Sequence, residues 1–257
     1  MKQTFVFEKM HGIGNDFVLI DNCDKQLDLS SKQIKALANR HTGIGFDQLL
    51  WLESAQSCDG AYRFFNPDGS EAEQCGNGQR CITKYLNIKC PEKMQFSISG
   101  LAGIIDSKID NNGQVTVNMG SFQSIDKVMI HQQLCHHVVF GNPHLVTECS
   151  NIADCDLPSL KQQYAQSYKD GINFEIVEIL SADQIKVRVD ERGTGETLAC
   201  GSGACAAVMA LHSNGQLNNK VKVLLPGGTL MVEYNESDNN IYLTGPAEHV
   251  FTGEMTI

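Results

Sequence analysis

The chain has 257 residues, 42% of them hydrophobic, and a formal net charge of −10. That is enough for one large domain or two ordinary ones with a normal core. No basic run or basic–aromatic stripe offsets the negative charge, which argues against nucleic acid as a partner. No stretch approaches the roughly 18 apolar residues of a membrane span. The start, MKQTFVFEKMHG, lacks the apolar run of a signal peptide, so a cytoplasmic location is expected.

Residues 4–9 alternate and predict a strand, 10–16 a turn and 17–21 a second strand. Ser30 or Ser31 caps a helix to about Asn39, with Ile34, Leu37 and Ala38 at helical spacing. A Gly-rich loop at 41–47 precedes strands at 48–52 and 59–65. Phe65-Asn66-Pro67-Asp68-Gly69-Ser70 is a turn by its Asn-Pro and Asp-Gly pairs. Cys75-Gly76-Asn77-Gly78 then opens a helix to about Leu86, followed by strands near 94–99, 101–109 and 114–119, with a turn at Asn111-Asn112-Gly113.

The pattern then repeats. Cys75 and Cys200, Gly103 and Gly228, and Gly120 and Gly245 are each 125 positions apart. At the same offset residues 62–64 fall on 187–189 and Asn66 on Glu191. Upstream the offset drifts: Gly14-Asn15 matches Gly141-Asn142 at 127, and the 43–47 stretch matches 171–175 at 128. The expectation is a mixed α/β (α+β) fold of two pseudo-symmetric lobes, 1–122 and 123–257, joined near 122–130. Each lobe should be a mostly antiparallel sheet carrying one small-residue, buried helix.

Each repeat starts its helix with a cysteine on a Gly-rich turn. Such a thiol sits at the positive end of the helix dipole beside backbone N–H groups without intrahelical partners. That setting is expected to lower its pKa from about 8.5 toward neutrality. Approximate twofold symmetry predicts the two helix starts facing one site. A thiolate and a thiol on opposite faces of one carbon invert a stereocentre, exchanging roles on reversal. The N–H groups of Gly76, Asn77, Gly201 and Ser202 would support the carbanion-like species beside a carboxylate. A phosphate cradle is the other use of such turns, but neither has the Lys-Ser/Thr that follows a Walker glycine loop. The bland alternative, a Gly-rich helix start with a buried Cys, loses force when it occurs twice at equivalent places.

There are ten cysteines. None forms CxxC, and the gaps Cys75 to Cys81 and Cys200 to Cys205 do not suit zinc, so no metal is expected. Cys23, Cys58, Cys90, Cys135, Cys149 and Cys155 have no neighbouring chemistry and read as small buried hydrophobes.

Four stretches carry a resemblance. They are His11-Gly12-Ile13-Gly14-Asn15-Asp16-Phe17, the run from Phe65 through Cys75 to Gly78, Gly141-Asn142-Pro143-His144, and the run from Glu191 through Cys200 to Gly203. Over essentially the whole chain the sequence resembles the diaminopimelate epimerases. The resemblance implies a cofactor-independent epimerase interconverting LL- and meso-diaminopimelate, in lysine and peptidoglycan-precursor synthesis. It also implies two lobes, each a barrel-like sheet wrapped on a central helix, a last strand able to cross back to the first lobe, and a homodimer.

By the same resemblance Cys200 is the proton acceptor and Cys75 the donor from LL to meso. Gly76-Asn77 and Gly201-Ser202 are the anion-binding helix starts. Asn15, Gln48, Asn66, Asn142, Asn173, Glu191 and Arg192 match substrate-binding positions, and His144 and Glu191 match positions that tune the thiols. The residue chemistry agrees: Arg192 suits a distal carboxylate in a bidentate fork, and Glu191 an ammonium. By themselves the asparagines are common turn residues, Glu191-Arg192 could be a solvated pair, and His144 a packed loop histidine. Gln79 stands where the family often has a small residue, with no catalytic effect expected. Phe251 stands where relatives often have a dimer-packing Tyr. The rivals are a related two-cysteine racemase acting on proline, hydroxyproline or histidine, and a thiol redox or metal-binding protein.

Overall fold

The structure, a computed structural model, describes residues 3–72, 75–101 and 103–257. Glu73 and Gln74 in the motif before Cys75, and Ala102 in the strand expected at 101–109, lie outside the described residues. In chain order the elements of the first half are β1 (Thr4–Gly12), β2 (Asn15–Asp21), α1 (Ser31–Ala38), β3 (Gln48–Glu53), β4 (Gly60–Phe65), β5 (Glu71–Ala72), α2 (Gly76–Lys89), β6 (Gln95–Gly100), β7 (Gly103–Ile109) and β8 (Val115–Asn118). The second half has β9 (Ser124–Ile130), β10 (Gln133–Phe140), β11 (Asn142–Glu148), α3 (Leu157–Tyr164), β12 (Asn173–Ser181), β13 (Gln184–Glu191), β14 (Gly195–Thr197), α4 (Gly201–Ser213), β15 (Lys220–Leu225), β16 (Gly228–Asn235), β17 (Asn240–Gly245) and β18 (Glu248–Thr256). Among the described residues no helix is long and apolar enough to cross a membrane.

Two compact units result, residues 1–117 with 245–257, and residues 118–244. The first boundary lies a few residues before the 122/123 division read from the repeat. The C-terminal segment belongs to the first unit because β18 pairs with β1, from Thr4↔Thr256 to His11↔Glu248. Residues 124–130, read as part of the connection, are instead the strand β9. It pairs antiparallel with β10 through a tight turn in which His131 and Gln132 both have positive φ, the conformation of a two-residue hairpin loop. β9 thus covers β10 as β18 covers β1.

In the first unit the hydrogen-bonded order is β18, β1, β2, β3, β4, β6, β7, β8, with β5 also on β4. In the second, β10–β11, β11–β12, β12–β13, β13–β14, β13–β15, β15–β16 and β16–β17 reproduce those pairings strand for strand. Both sheets are antiparallel except at β2–β3 and β4–β6, and at β11–β12 and β13–β15. Those are the places where a helix intervenes in the chain, and a parallel neighbour needs such a crossover.

The ladders also correct the repeat alignment. Phe17 pairs with Gln48 where His144 pairs with Asn173. Gln48 and Asn173 are therefore counterparts, 125 positions apart, and the apparent match of 43–47 to 171–175 is a coincidence of small residues.

α1 starts as its sequence predicts. The Ser30 N–H donates to Gln33 Oε1 at 3.0 Å, and Ile34, Leu37 and Ala38 are buried. α2 packs on β1, β2, β3, β7 and β18, and α4 on β10, β11, β12, β13 and β16. Each central helix therefore meets several strands of its own sheet. α4 tolerates this because Ala204, Ala206, Ala207 and Ala210 let the strands approach closely, leaving none of them more than 1% exposed.

Candidate active site

Cys75 caps α2 in an extended conformation, φ −141°, and its Sγ accepts the Gly78 N–H at 3.4 Å. Its own carbonyl accepts the Gln79 N–H at 2.8 Å, so the helix begins directly after it. Gly78 lets this start lie close on the sheet: a Cβ would lie 2.9 Å from the end of Leu50 and 3.4 Å from both Phe17 and Phe64. The thiol is half-buried and lies 3.8 Å from Asn15 Oδ1, which also accepts from Asn77 Nδ2 at 3.1 Å.

Asn15 is held in turn by Asp47, its Nδ2 donating to Oδ2 at 2.9 Å. Arg40 ties Asp47, at 2.7 Å, to Asp16, at 2.6 Å, and Lys9 also pairs with Asp16. Burial works to raise the Asp16 carboxyl, but the hydrogen bonds and charges of Arg40 and Lys9 prevail and hold it below the usual range. Nearby, Gln48 donates to Asn66 Oδ1 at 3.2 Å, and Asn66 to Ser70 at 3.1 Å. Of the expected residues, Asn15 with Asn77 and Gln48 with Asn66 thus form two bonded groups, while Gly76 is the first residue of α2. Tyr62 is an unexpected neighbour, buried and stacked on Phe64 at 4.5 Å. Burial, and then Cys75, push its hydroxyl up to about 12.

Cys200 caps α4 with the same backbone, φ −124°, its Sγ accepting the Gly203 N–H at 3.4 Å with Ser202 Oγ at 3.5 Å. The surroundings differ. Cys200 is only 5% exposed. Burial, then Glu191 and Glu175, raise its thiol well above the ordinary value, against the Ser202 and Gly203 hydrogen bonds. The expectation that the helix start lowers this thiol is therefore overturned. The dipole supplies about half a charge, and desolvation with two carboxylates outweighs it.

Glu191 is half-buried, accepts from Thr197 Oγ1 at 2.6 Å and is itself raised by burial, against hydrogen bonds with Thr197 and Cys200. His144 and Glu175 are both 0% exposed and bonded Nδ1 to Oε1 at 2.7 Å. A Cβ on Gly203 would lie 2.8 Å from Glu175 Oε1 and 3.3 Å from Cys200 Sγ, so the carboxyl and the thiol are close neighbours. Arg192 gathers two expected residues: Asn173 Oδ1 accepts its backbone N–H at 2.8 Å, and its Nη2 lies 3.5 Å from Asn142 Oδ1. Its stem lies over Gly171, where a Cβ would come within 3.0 Å of Cγ. Lys161 braces this end by donating to the carbonyl oxygens of Glu191 at 3.0 Å and Asp190 at 3.1 Å.

Sequence reasoning did not single out Glu175, Tyr62, Asp47 or Arg40. Glu175 had a usable signal, a lone charge inside the buried run Asn173-Phe174-Glu175-Ile176-Val177. Gln79 is fully buried, and neither amide atom has a hydrogen-bond partner among the described residues. Phe251 is 47% exposed on β18, beside exposed Val250 and edge-on to Phe7 at 6.0 Å. Of the cysteines read as buried, only Cys135 is; Cys23 and Cys90 are exposed and Cys58 is half-buried. Cys149 and Cys155 are also half-buried and bring their sulfurs to 2.6 Å. No group of three or more His, Cys, Asp or Glu side chains able to hold a metal occurs among the described residues.

Solved structures share this fold throughout. A Bacillus anthracis phenazine biosynthesis protein of the PhzF family is 16% identical, with a TM-score of 0.76 over 99% of this chain and 100% of that one. A hydroxyproline epimerase from Agrobacterium vitis with bound trans-4-hydroxy-L-proline is 11% identical, with a TM-score of 0.73 over 99% and 93%. A probable proline racemase from Agrobacterium radiobacter is 13% identical, with a TM-score of 0.68 over 96% and 92%. The sequence profile of the family described as diaminopimelate epimerase matches residues 7–125 and 137–250. With nearly its whole length matched, the chain belongs to the diaminopimelate epimerase family, whose chemistry is of the isomerase type.

Proposed function

We propose that this protein interconverts LL- and meso-diaminopimelate by two-base proton transfer at Cα, without a cofactor, as a cytoplasmic homodimer serving lysine and peptidoglycan-precursor synthesis. The observation that carries the proposal is the pair of cysteines capping equivalent helices in two units of equal topology. From LL to meso the Cys200 thiolate takes the Cα proton and the Cys75 thiol delivers one to the other face; the return exchanges the roles. The N–H groups at Gly76-Asn77 and Gly201-Ser202 hold the carboxylate next to the carbanion-like centre. The buried, raised Cys200 thiol is consistent with a base ionised only when substrate arrives, and Glu191, bonded to it, is suited to take its proton.

A distal zwitterion is the favoured substrate because Arg192, Asn142 and Asn173 form one polar group beside Glu191. Asn15, Gln48 and Asn66 would serve the amino and carboxylate groups from the first unit. The dimer would bury the exposed Val250 and Phe251 of β18. Incubation of the purified protein with LL-diaminopimelate in deuterated water tests the reading. Cα exchange with formation of the meso isomer is expected. Exchange of proline or hydroxyproline instead would move the protein to the other two-cysteine racemases, and exchange of none of these would end the proposal.

A further inference from the structure

Equivalent rungs of the two sheets hold different chemistry beneath the same helix start. In the first unit Phe17, Leu50 and Phe64 lie there; their counterparts in the second are His144, Glu175 and Val189. An apolar pair therefore satisfies this fold, and a buried imidazole and carboxyl are not needed to build it. Ionisable groups fully withdrawn from water are costly unless paired. Here they are paired once, at Nδ1 and Oε1, and His144 Nε2 and Glu175 Oε2 have no hydrogen-bond partner among the described residues.

We propose that Glu175 is a positioning residue: it accepts the Nδ1–H of His144 and so fixes the tautomer and plane of that ring beneath the Cys200 helix start. This rests on the epimerase reading above, in which a proton must leave and return to Cys200. A carboxylate bound to one ring nitrogen fixes both the tautomer and the ring plane. Glu175 Oε1 and Cys200 Sγ both lie within 3.3 Å of where a Cβ on Gly203 would sit, which places the carboxyl beside the thiol.

Nitrogen-15 NMR of the full chain labelled at histidine, across pH, reads this directly, the His144 signals being identified by their loss in the His144→Phe/Glu175→Leu double variant. Nδ1 is expected to carry the ring proton, hydrogen-bonded to the carboxylate. Glu175→Leu alone should mix the tautomers and lower kcat for Cα inversion about 10²-fold with KM changed less than about threefold. Glu175→Gln, whose amide oxygen still accepts from Nδ1, should recover about a tenth of the wild-type rate or more. A wild-type ring with its proton on Nε2 and a bare Nδ1 overturns the proposal. So does a folded Glu175→Leu variant working at the wild-type rate. Wild-type protein inert on diaminopimelate but with Nδ1 protonated would sink the substrate reading alone and leave the dyad standing.

Discussion

At the starts of α2 and α4 the chain makes the same backbone twice and surrounds it differently. Both capping cysteines are extended, and both sulfurs accept an N–H three residues on at 3.4 Å. Beneath Cys75 lie two phenylalanines and a leucine, and beside it neutral Asn15; beneath Cys200 lie His144 and Glu175, and beside it Glu191. Helix geometry alone therefore does not set the acidity of a thiol. Desolvation and neighbouring carboxylates decide it, and they act on Cys200, where they raise the pKa. Such unlike environments would suit the proposed two-base reaction, which needs one charged and one neutral partner.

The most severe way to break the comparison is to remove either sulfur. Cys75→Ala and Cys200→Ala should each lower epimerisation by about 10³-fold or more, measured as meso product from LL substrate. Full activity in either variant would end the two-base scheme. The glycines beneath the thiols sharpen it. Gly203→Ala pushes a methyl into Glu175 and Cys200, and about 10²-fold of activity should be lost. Gly78→Ala meets the flexible end of Leu50 and should cost about 1 kcal/mol of stability with activity kept within about tenfold.

A smaller effect probes the carboxylates. Alkylation needs the thiolate, so labelling of Cys200 should stay slow near neutral pH and rise only at strongly alkaline pH. Glu191→Gln removes a negative neighbour and should speed labelling of that peptide about threefold or more at fixed pH. The smallest concerns the ion pairs behind Asn15. The folded Asp16 carboxyl titrates below its ordinary 3.8, so its contribution is full above that value and lost as pH falls through the folded one. Asp16→Asn should cost about 1 kcal/mol at pH 7 in denaturant melts, and the two proteins should converge at the most acid pH.

Much of the molecule was legible because it is written in neighbouring residues. Gly-rich turns running into small-residue helices mark α2 and α4, and spaced Ile34, Leu37 and Ala38 mark α1. The duplication was visible in the spacing of Cys75 and Cys200. The 128-residue match at Gly43 misled because glycines and an aromatic recur by chance, and only strand register could refuse it. The strand at 124–130 was missed because none of its residues is buried, so it carries no inward-facing apolar alternation. Its pairing with β10 defines it.

The amino-acid order alone determined the repeat, the two cysteine caps and the family, since each depends on residues adjacent in the chain or on a fixed offset. Tertiary structure decided the rest. His144 meets Glu175 across 31 positions, and Arg40 meets Asp16 across 24. The acidity of Cys200 follows from how completely the sheet, the helix and two carboxylates surround it. Burial and charge pairing are sums over groups distant in sequence, so no local pattern of residues specifies them.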